Sequence, residues 1–376
     1  MKRQIRLVGM VFALVAAAIG AAIPAQAAGE SDGSAGRAVF VQANDPTANS
    51  IAAYRRNADG SLTFSASYAT GGQGGRETGA GSDPLASQGS LRLVSEGRLL
   101  LAVNAGSNTI SVFHVSGDRL ELTQVLSAGG PFPTAFAVHD DLVYVLDAGG
   151  QGFVSGYRIA GGRLHPIEGS TRTLLLANEP VPFFLSSPAE AGFTPDGDHL
   201  IVTTKTHNTV DVFSAGPDGR LSAAPVKNAE APVPFAFVFD HAGRMVLNFA
   251  GTSSLETFTV NSDNTITPVS APVSDTQAAL CWVTSARGYQ YTSNTGSGSV
   301  SEFHVNADGS VVLVTAVAAS GISGAIDSAA SGRFLYVQSG PSSTVYVFSI
   351  GAGGSLTPVQ VAIVPGGAGQ EGIAAS

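Results

Sequence analysis

The side chains in this chain that could carry chemistry are few and scattered, which limits what it can do. Seven histidines stand at 114, 139, 165, 199, 207, 241 and 304. None of them forms the close pair that a metal site needs, so neither a metal nor a cofactor is expected. No G-x-S-x-G elbow and no H-E-x-x-H pair occurs, which removes the usual signatures of serine hydrolases and zinc proteases. Cys281 is the single cysteine. It sits in an apolar run with no histidine beside it, as an inert buried thiol does, and no internal disulfide can form. Candidates for proton transfer reduce to Glu190, His207 and Glu371. Candidates for holding a small ligand are Gln88, Asn104, Phe132, Phe183, Phe235, Trp282 and Asn294, a mixture of apolar walls and a few polar groups typical of ligand sites. Trp282 is the sole tryptophan. Its indole, like each phenylalanine ring, has core packing as an alternative use.

The elements that must position these residues are visible as a repeat. A small polar residue, an apolar or β-branched residue and an aromatic recur seven times, with the aromatic at Tyr54, Phe113, Tyr157, Phe213, Phe258, Phe303 and Phe348. The gaps are 59, 44, 56, 45, 45 and 45 residues. Most copies are preceded by an apolar strand, such as Leu99 to Val103 or Phe334 to Val337. Most are followed by a tight turn, such as Asp59-Gly60, Asp218-Gly219 or Asp308-Gly309, whose residues accept positive φ. Units of about 45 residues with four short strands are propeller blades. Helical repeats are excluded, because no long segment has a 3.6-residue period. The sequence therefore predicts an all-β, seven-bladed β-propeller with four-stranded blades. The two long gaps mark insertions, one around Gly71 to Gly81 and one from His165 to Glu190. Arg37 to Gln42 lacks an inner strand before it, and Gln370 to Ala375 reads as an inner strand with nothing after it. The two ends should share a blade and close the ring, which removes an open sheet edge.

Composition agrees. Charged residues make up 12% of the 376 residues and apolar ones 44%, so a large core can form and charge-driven disorder is excluded. Net charge is −9, with 3 Lys and 16 Arg, and no basic run follows the first six residues; nucleic acid is not an expected partner. Lys2, Arg3 and Arg6 precede an apolar stretch from Leu7 to Ile23 and an Ala25-Gln26-Ala27 triplet, the order of a secretory signal. Residues 1–27 are thus expected to be a signal peptide cleaved after Ala27, with an uncleaved anchor as the alternative reading. Residues 28–36 would be a flexible lead-in, and 37–376 the propeller. Cleavage removes three positive charges and takes the net charge from −9 to −12. The mature chain is expected to be secreted or extracytoplasmic, without a membrane span, and monomeric. Its expected partner is a small molecule or an extracellular protein.

In a propeller, the loops between second and third strands and the connections from one blade to the next open on one face. That face, the mouth, should collect Gln88, Asn104, Asp147, Lys205, His207, Asn248, Asn294, Gln338 and Gln370-Glu371. It should also collect Pro131-Phe132-Pro133, Pro182-Phe183-Phe184 and Pro234-Phe235, expected at the same place in successive blades as walls of an apolar funnel. The Asp-Gly turns belong to the other face.

The phrases Leu85-Ala-Ser-Gln-Gly-Ser90, VNAGSNTISVF (103–113), AGFTPDGDHLIVT (191–203) and CWVTSARGYQYTSNTGSGSVSEFHVNADGS (281–310) resemble the bacterial lactonase-like seven-bladed propellers of 3-carboxymuconate cyclase or 6-phosphogluconolactonase type. The resemblance spans nearly all of the mature chain. It implies the fold, but the chain departs from the sugar-phosphate lactonases of that family at their catalytic motifs. Ser187-Pro188-Ala189-Glu190 stands where the family has His-Pro-His-Ser. Val233-Pro234-Phe235-Ala236 stands where it has Gly-Pro-Arg-His, so Phe235 replaces an arginine. A family glutamate falls near Ala250-Gly251. Two readings follow: a lactonase-like propeller that binds a small molecule or partner at its mouth, or a lactone hydrolase or cyclase with a rearranged site.

Overall fold

The computed structural model describes residues 37–367 and 369–376. The signal peptide and lead-in expected over residues 1–36 lie outside the described residues. Seven antiparallel sheets form the blades of a propeller. The first blade consists of Ile373–Ala375, Ala38–Gln42, Ser50–Arg56 and Leu62–Ala69, from axis to rim. The second runs Leu91–Val94, Leu99–Asn104, Thr109–Ser116 and Arg119–Ser127, and the third Pro133–His139, Leu142–Asp147, Phe153–Ala160 and Arg163–Pro166. The fourth holds Ala191–Phe193, His199–Thr203, Thr209–Ser214 and Val226–Ala229, and the fifth Pro234–Phe239, Met245–Phe249, Ser254–Val260 and Ile266–Pro268. The sixth is Leu280–Ala286, Tyr289–Asn294, Ser299–Val305 and Val311–Ser320, and the seventh Ala325–Ser331, Phe334–Ser339, Thr344–Ile350 and Leu356–Ile363. Short extra strands at Arg172–Thr173 and Val273–Ser274 extend the third and fifth sheets.

The repeated aromatic occupies one structural position, in the third strand of each blade, and all seven rings are buried. Each pairs with an apolar or amide residue of the second strand, as Phe113 with Leu100, Phe213 with Leu200 and Phe348 with Leu335. In four blades the pairing with the rim strand slips by one residue at this ring, beside Tyr54, Phe113, Phe303 and Phe348. A bulge there increases the local twist of the outer blade. Apolar side chains on both faces of the blades gather into seven clusters, one at each junction between neighbouring blades. Both faces of the middle strands are therefore buried, which is why they read as continuous apolar runs.

The termini close the ring. Val39, Phe40 and Val41 pair with Ala375, Ala374 and Ile373. Ser376 N–H donates to Ala38 O at 2.9 Å, and the Arg56 guanidinium donates to Ser376 O at 3.0 Å. Among the described residues, no helix is long and apolar enough to cross a membrane.

Candidate functional site at the mouth of the ring

The two insertions fold onto each other. The connection 70–90, between the first and second blades, meets the connection 174–190, between the third and fourth. Thr78 N–H donates to Pro182 O at 2.9 Å, Phe184 N–H to Thr78 O at 3.1 Å and Gln88 N–H to Ala189 O at 3.0 Å. A third segment joins them, the short 3-10 turn Lys205–His207 that follows the second strand of the fourth blade. Thr206 N–H donates to Leu185 O at 3.1 Å, and the exposed His207 ring contacts Ser186 O at 3.2 Å. Lys205 takes φ +49°, a left-handed conformation costly for a side chain of this size. That backbone carries its side chain into the protein, where the residue is 1% exposed.

Lys205 Nζ donates to Ala86 O at 2.7 Å and to Ser187 Oγ at 2.6 Å, and lies 3.8 Å from Glu77 Oε2. Ser187 Oγ in turn donates to Glu77 Oε2 at 2.8 Å. Beside this group, the Asp83 carboxylate accepts from the backbone N–H of Leu85 at 3.1 Å and of Ala86 at 2.7 Å. Its other neighbour is Glu371, from the closing segment of the ring. Burial dominates the electrostatics. It pushes Glu77 up to about 8 against the pull of Lys205, raises Asp83 and Glu371, and lowers Lys205. Buried charges persist only when paired or hydrogen-bonded, and here one ammonium faces three carboxyls.

Above these groups opens a cavity of about 490 Å³. Phe184, Val233, Phe235 and Trp282 supply apolar wall, and Asp83 and Lys205 are its charged lining residues. The Phe235 and Trp282 rings meet edge to face at 5.0 Å, and Lys205 Nζ stands 5.7 Å from the Phe235 centroid. Trp282 Nε1 donates to Ser87 O at 3.0 Å, which fixes the indole plane. Cys281 also lines the cavity, and burial pushes its thiol up to about 12. At neutral pH it is a protonated, unreactive thiol.

The other residues singled out in the sequence take different places. Gln88 and Glu190 lie deeper, near the axis. Gln88 Nε2 donates to Glu190 Oε1 at 3.3 Å, while Gln88 Oε1 accepts from Val283 N at 3.1 Å. Glu190 also accepts from Phe237 N at 2.7 Å and pairs with Arg92 at 3.3 Å. These contacts tie strands of several blades across the ring, and both Glu190 oxygens are occupied by protein donors. Burial raises Glu190 to about 8 and Asp327, near Arg92, to about 7. Asn104 and Asn294 are fully buried within their blades and occupy equivalent positions. Asn104 donates to Thr109 and Ser111, and Asn294 to Ser299 and Ser301, so each pins the turn between second and third strands.

The three Pro-Phe phrases are not at one place in successive blades, contrary to the sequence expectation. Pro133 pairs with Asp147 and Pro234 with Phe249, each the last residue of its second strand. Phe132 precedes its proline and Phe235 follows its own. The counterpart of Phe132 is Val233: both have positive φ, and their N–H groups donate to Asn108 and Asn208 respectively. Phe132 therefore packs in the junction of the second and third blades. Phe183 lies in the insertion before the fourth blade, 46% exposed and stacked edge-on against Phe184. Sequence reasoning passed over Glu77, Asp83, Ser187, Arg92 and Asp327 as participants. One signal was present: Glu77 and Asp83 are the only acids in the Gly-rich connection 70–90.

Residues 49–159 match the family described as lactonase, seven-bladed beta-propeller. No curated protein matches the chain. A periplasmic gluconolactonase from Pseudomonas aeruginosa superposes with a TM-score of 0.67 at 17% identity, over 90% of this chain and 98% of that one. A Bacteroides uniformis protein described as a 6-phosphogluconolactonase candidate gives 0.70 at 16%, over 90% and 98%. A Lactobacillus plantarum protein gives 0.68 at 18%, over 88% and 96%. At these identities the likeness is one of fold.

Proposed function

From a chain that matches the lactonase-like propellers over residues 49–159 and has their fold throughout the ring, we propose an exported propeller that binds a small, neutral, cyclic molecule of the lactone class at its mouth. The observation that carries this reading is the cavity of about 490 Å³, walled by Phe184, Phe235 and Trp282 with Lys205 and Asp83 among its lining. An apolar enclosure with few convergent polar groups suits a ligand with one polar edge. A phosphorylated ligand fits poorly. Lys205 is already engaged by Ser187, Ala86 and Glu77, and the sequence resemblance implies that Phe235 stands where the sugar-phosphate lactonases of that family have arginine. A phosphate entering here would meet Asp83 and find no second cation among the cavity residues.

The signal-like residues 1–27 support export, and the Pseudomonas aeruginosa relative is a periplasmic protein. Among the described residues every inner strand is paired within its own blade, and the reading includes a monomer. A second reading, in which the bound ring is opened or closed, is favoured by the ionisable groups around Lys205.

Calorimetric titration of the mature chain tests the binding reading with three probes: dihydrocoumarin, δ-valerolactone and a phosphorylated sugar lactone. The expected order has the aromatic lactone tightest, with a negative heat-capacity change from apolar burial. Tightest binding of the phosphorylated probe would overturn the assignment.

A further inference from the structure

A second cavity, of about 480 Å³, opens on the face opposite the mouth, between turn 240–244 of the fifth blade and turns 287–288 and 306–310 of the sixth. It shares no lining residue with the mouth cavity. The repeat itself marks this place. In six blades the second-strand residue opposite the buried aromatic is apolar: Val39, Leu100, Val143, Leu200, Met245 and Leu335. In the sixth blade it is Gln290, opposite Phe303. Gln290 is 5% exposed and lines the cavity, and its Oε1 is buried with no hydrogen-bond partner among the described residues. An unpaired buried amide oxygen costs stability that an apolar residue would not, so packing does not account for this glutamine.

The lining is also cationic, in a chain of net charge −9. Asp240 is the one acid among the lining residues, and it neutralises Arg244, whose Nε donates to Asp240 Oδ2 at 2.7 Å. The same guanidinium donates to Ala307 O at 3.0 Å and to Asn306 O at 3.1 Å, which ties the turns of the two blades together. Arg287 is exposed and takes part in none of the ion pairs among the described residues. It stands at φ +53° in a two-residue hairpin loop with Gly288, between the paired residues Ala286 and Tyr289, so its place at the cavity is fixed by a tight turn. His241 and His304 are the remaining ionisable lining residues.

We propose that this second cavity binds an aromatic carboxylate that carries a hydroxyl group. The Arg287 guanidinium receives the carboxylate, a pairing that its planar fork suits. Phe239, Ala286 and Val305 supply apolar wall for the ring. Gln290 Oε1 accepts the hydroxyl proton, which gives the buried oxygen the partner that the protein does not. A ligand without that hydroxyl leaves the oxygen unpaired, and discrimination follows from this cost. A single unpaired guanidinium suits a monoanion, so a carboxylate is preferred to phosphate.

The test is calorimetric titration of the mature chain with 4-hydroxybenzoate, benzoate, 4-hydroxybenzamide and inorganic phosphate. 4-Hydroxybenzoate should bind at least about tenfold tighter than benzoate, which leaves Gln290 unpaired, and than 4-hydroxybenzamide, which lacks the charge. Arg287→Gln should weaken 4-hydroxybenzoate by at least about tenfold. Gln290→Leu should close the gap between 4-hydroxybenzoate and benzoate, a change that a purely structural role would not produce. Its melting temperature should hold or rise, since leucine fills the equivalent position at Leu100, Leu200 and Leu335. Equal binding of the acid and the amide overturns the proposal, as does unchanged affinity in either folded variant. Tightest binding of phosphate overturns it too, because charge alone would then be read, and so does failure of 4-hydroxybenzoate to bind. Should Gln290→Leu not fold, Arg287→Gln decides, since its side chain lies on the surface.

Discussion

Replacing Asp327 with asparagine isolates the cost of a carboxylate buried at the axis of the ring. Asp327 is 4% exposed, accepts from Ser328 N at 2.8 Å, and is pushed up from 3.8 to about 7, chiefly by burial and against the pull of Arg92. Below the lower value, folded and unfolded chains both hold the proton and the group has no effect on stability. Between the two values the unfolded chain releases the proton while the folded chain keeps it, so rising pH favours unfolding. Above about 7 the penalty is complete. A shift of roughly three units at 1.36 kcal/mol each makes it about 4 kcal/mol. The amide of Asp327→Asn does not titrate, so the stability of this variant relative to wild type should climb by about that amount between pH 4 and pH 8. Urea unfolding followed by the emission of the sole tryptophan measures both curves. Any change in hydrogen bonding offsets the variant by a constant, so the slope of the difference is the quantity that counts. Parallel curves would be incompatible with a burial penalty at this carboxyl.

Deleting residues 369–376 removes the inner strand paired with Val39 to Val41, together with Glu371; melting should fall by roughly 5 °C or more, and an unchanged midpoint would contradict closure by the termini. Phe235→Arg sets a second cation beside Lys205 and removes the ring stacked on Trp282. It should abolish binding of a neutral aromatic ligand and destabilise the junction of the fifth and sixth blades by about 3 kcal/mol or more, read by calorimetry and melting together. Intact-mass measurement of exported protein should show a chain starting at Ala28; full-length protein found only in membranes would favour an anchor.

The ring was legible in the sequence because its determinants are local and repeated. Phe258, Phe303 and Phe348 recur at a spacing of 45 residues, and the turns between them require residues that tolerate positive φ, such as Gly219 and Gly309. The closing strand was legible because a phrase without partners at each end implied pairing. The site was less so. Lys205 was placed on the mouth face by its loop, but its burial follows from a left-handed backbone that no side-chain pattern reveals. Glu77 and Ser187, 110 positions apart, meet only because two insertions pair across the mouth, and insertions lie outside the repeat that organises the blades. Phe132 and Phe235 looked alike as short phrases, and a one-residue difference in register around equivalent prolines sent one into a blade junction and the other to the cavity wall.

If the cavity between the two insertions receives the ligand, Trp282 gives a direct reading of its arrival. The indole is the only tryptophan in the chain and lines that cavity. Titrating the mature protein with the lactam of dihydrocoumarin should produce a saturable change in tryptophan emission in wild type that disappears in Phe235→Arg. Calorimetric binding of the lactam with no change in Trp282 emission would place the ligand elsewhere and contradict the assignment of this cavity.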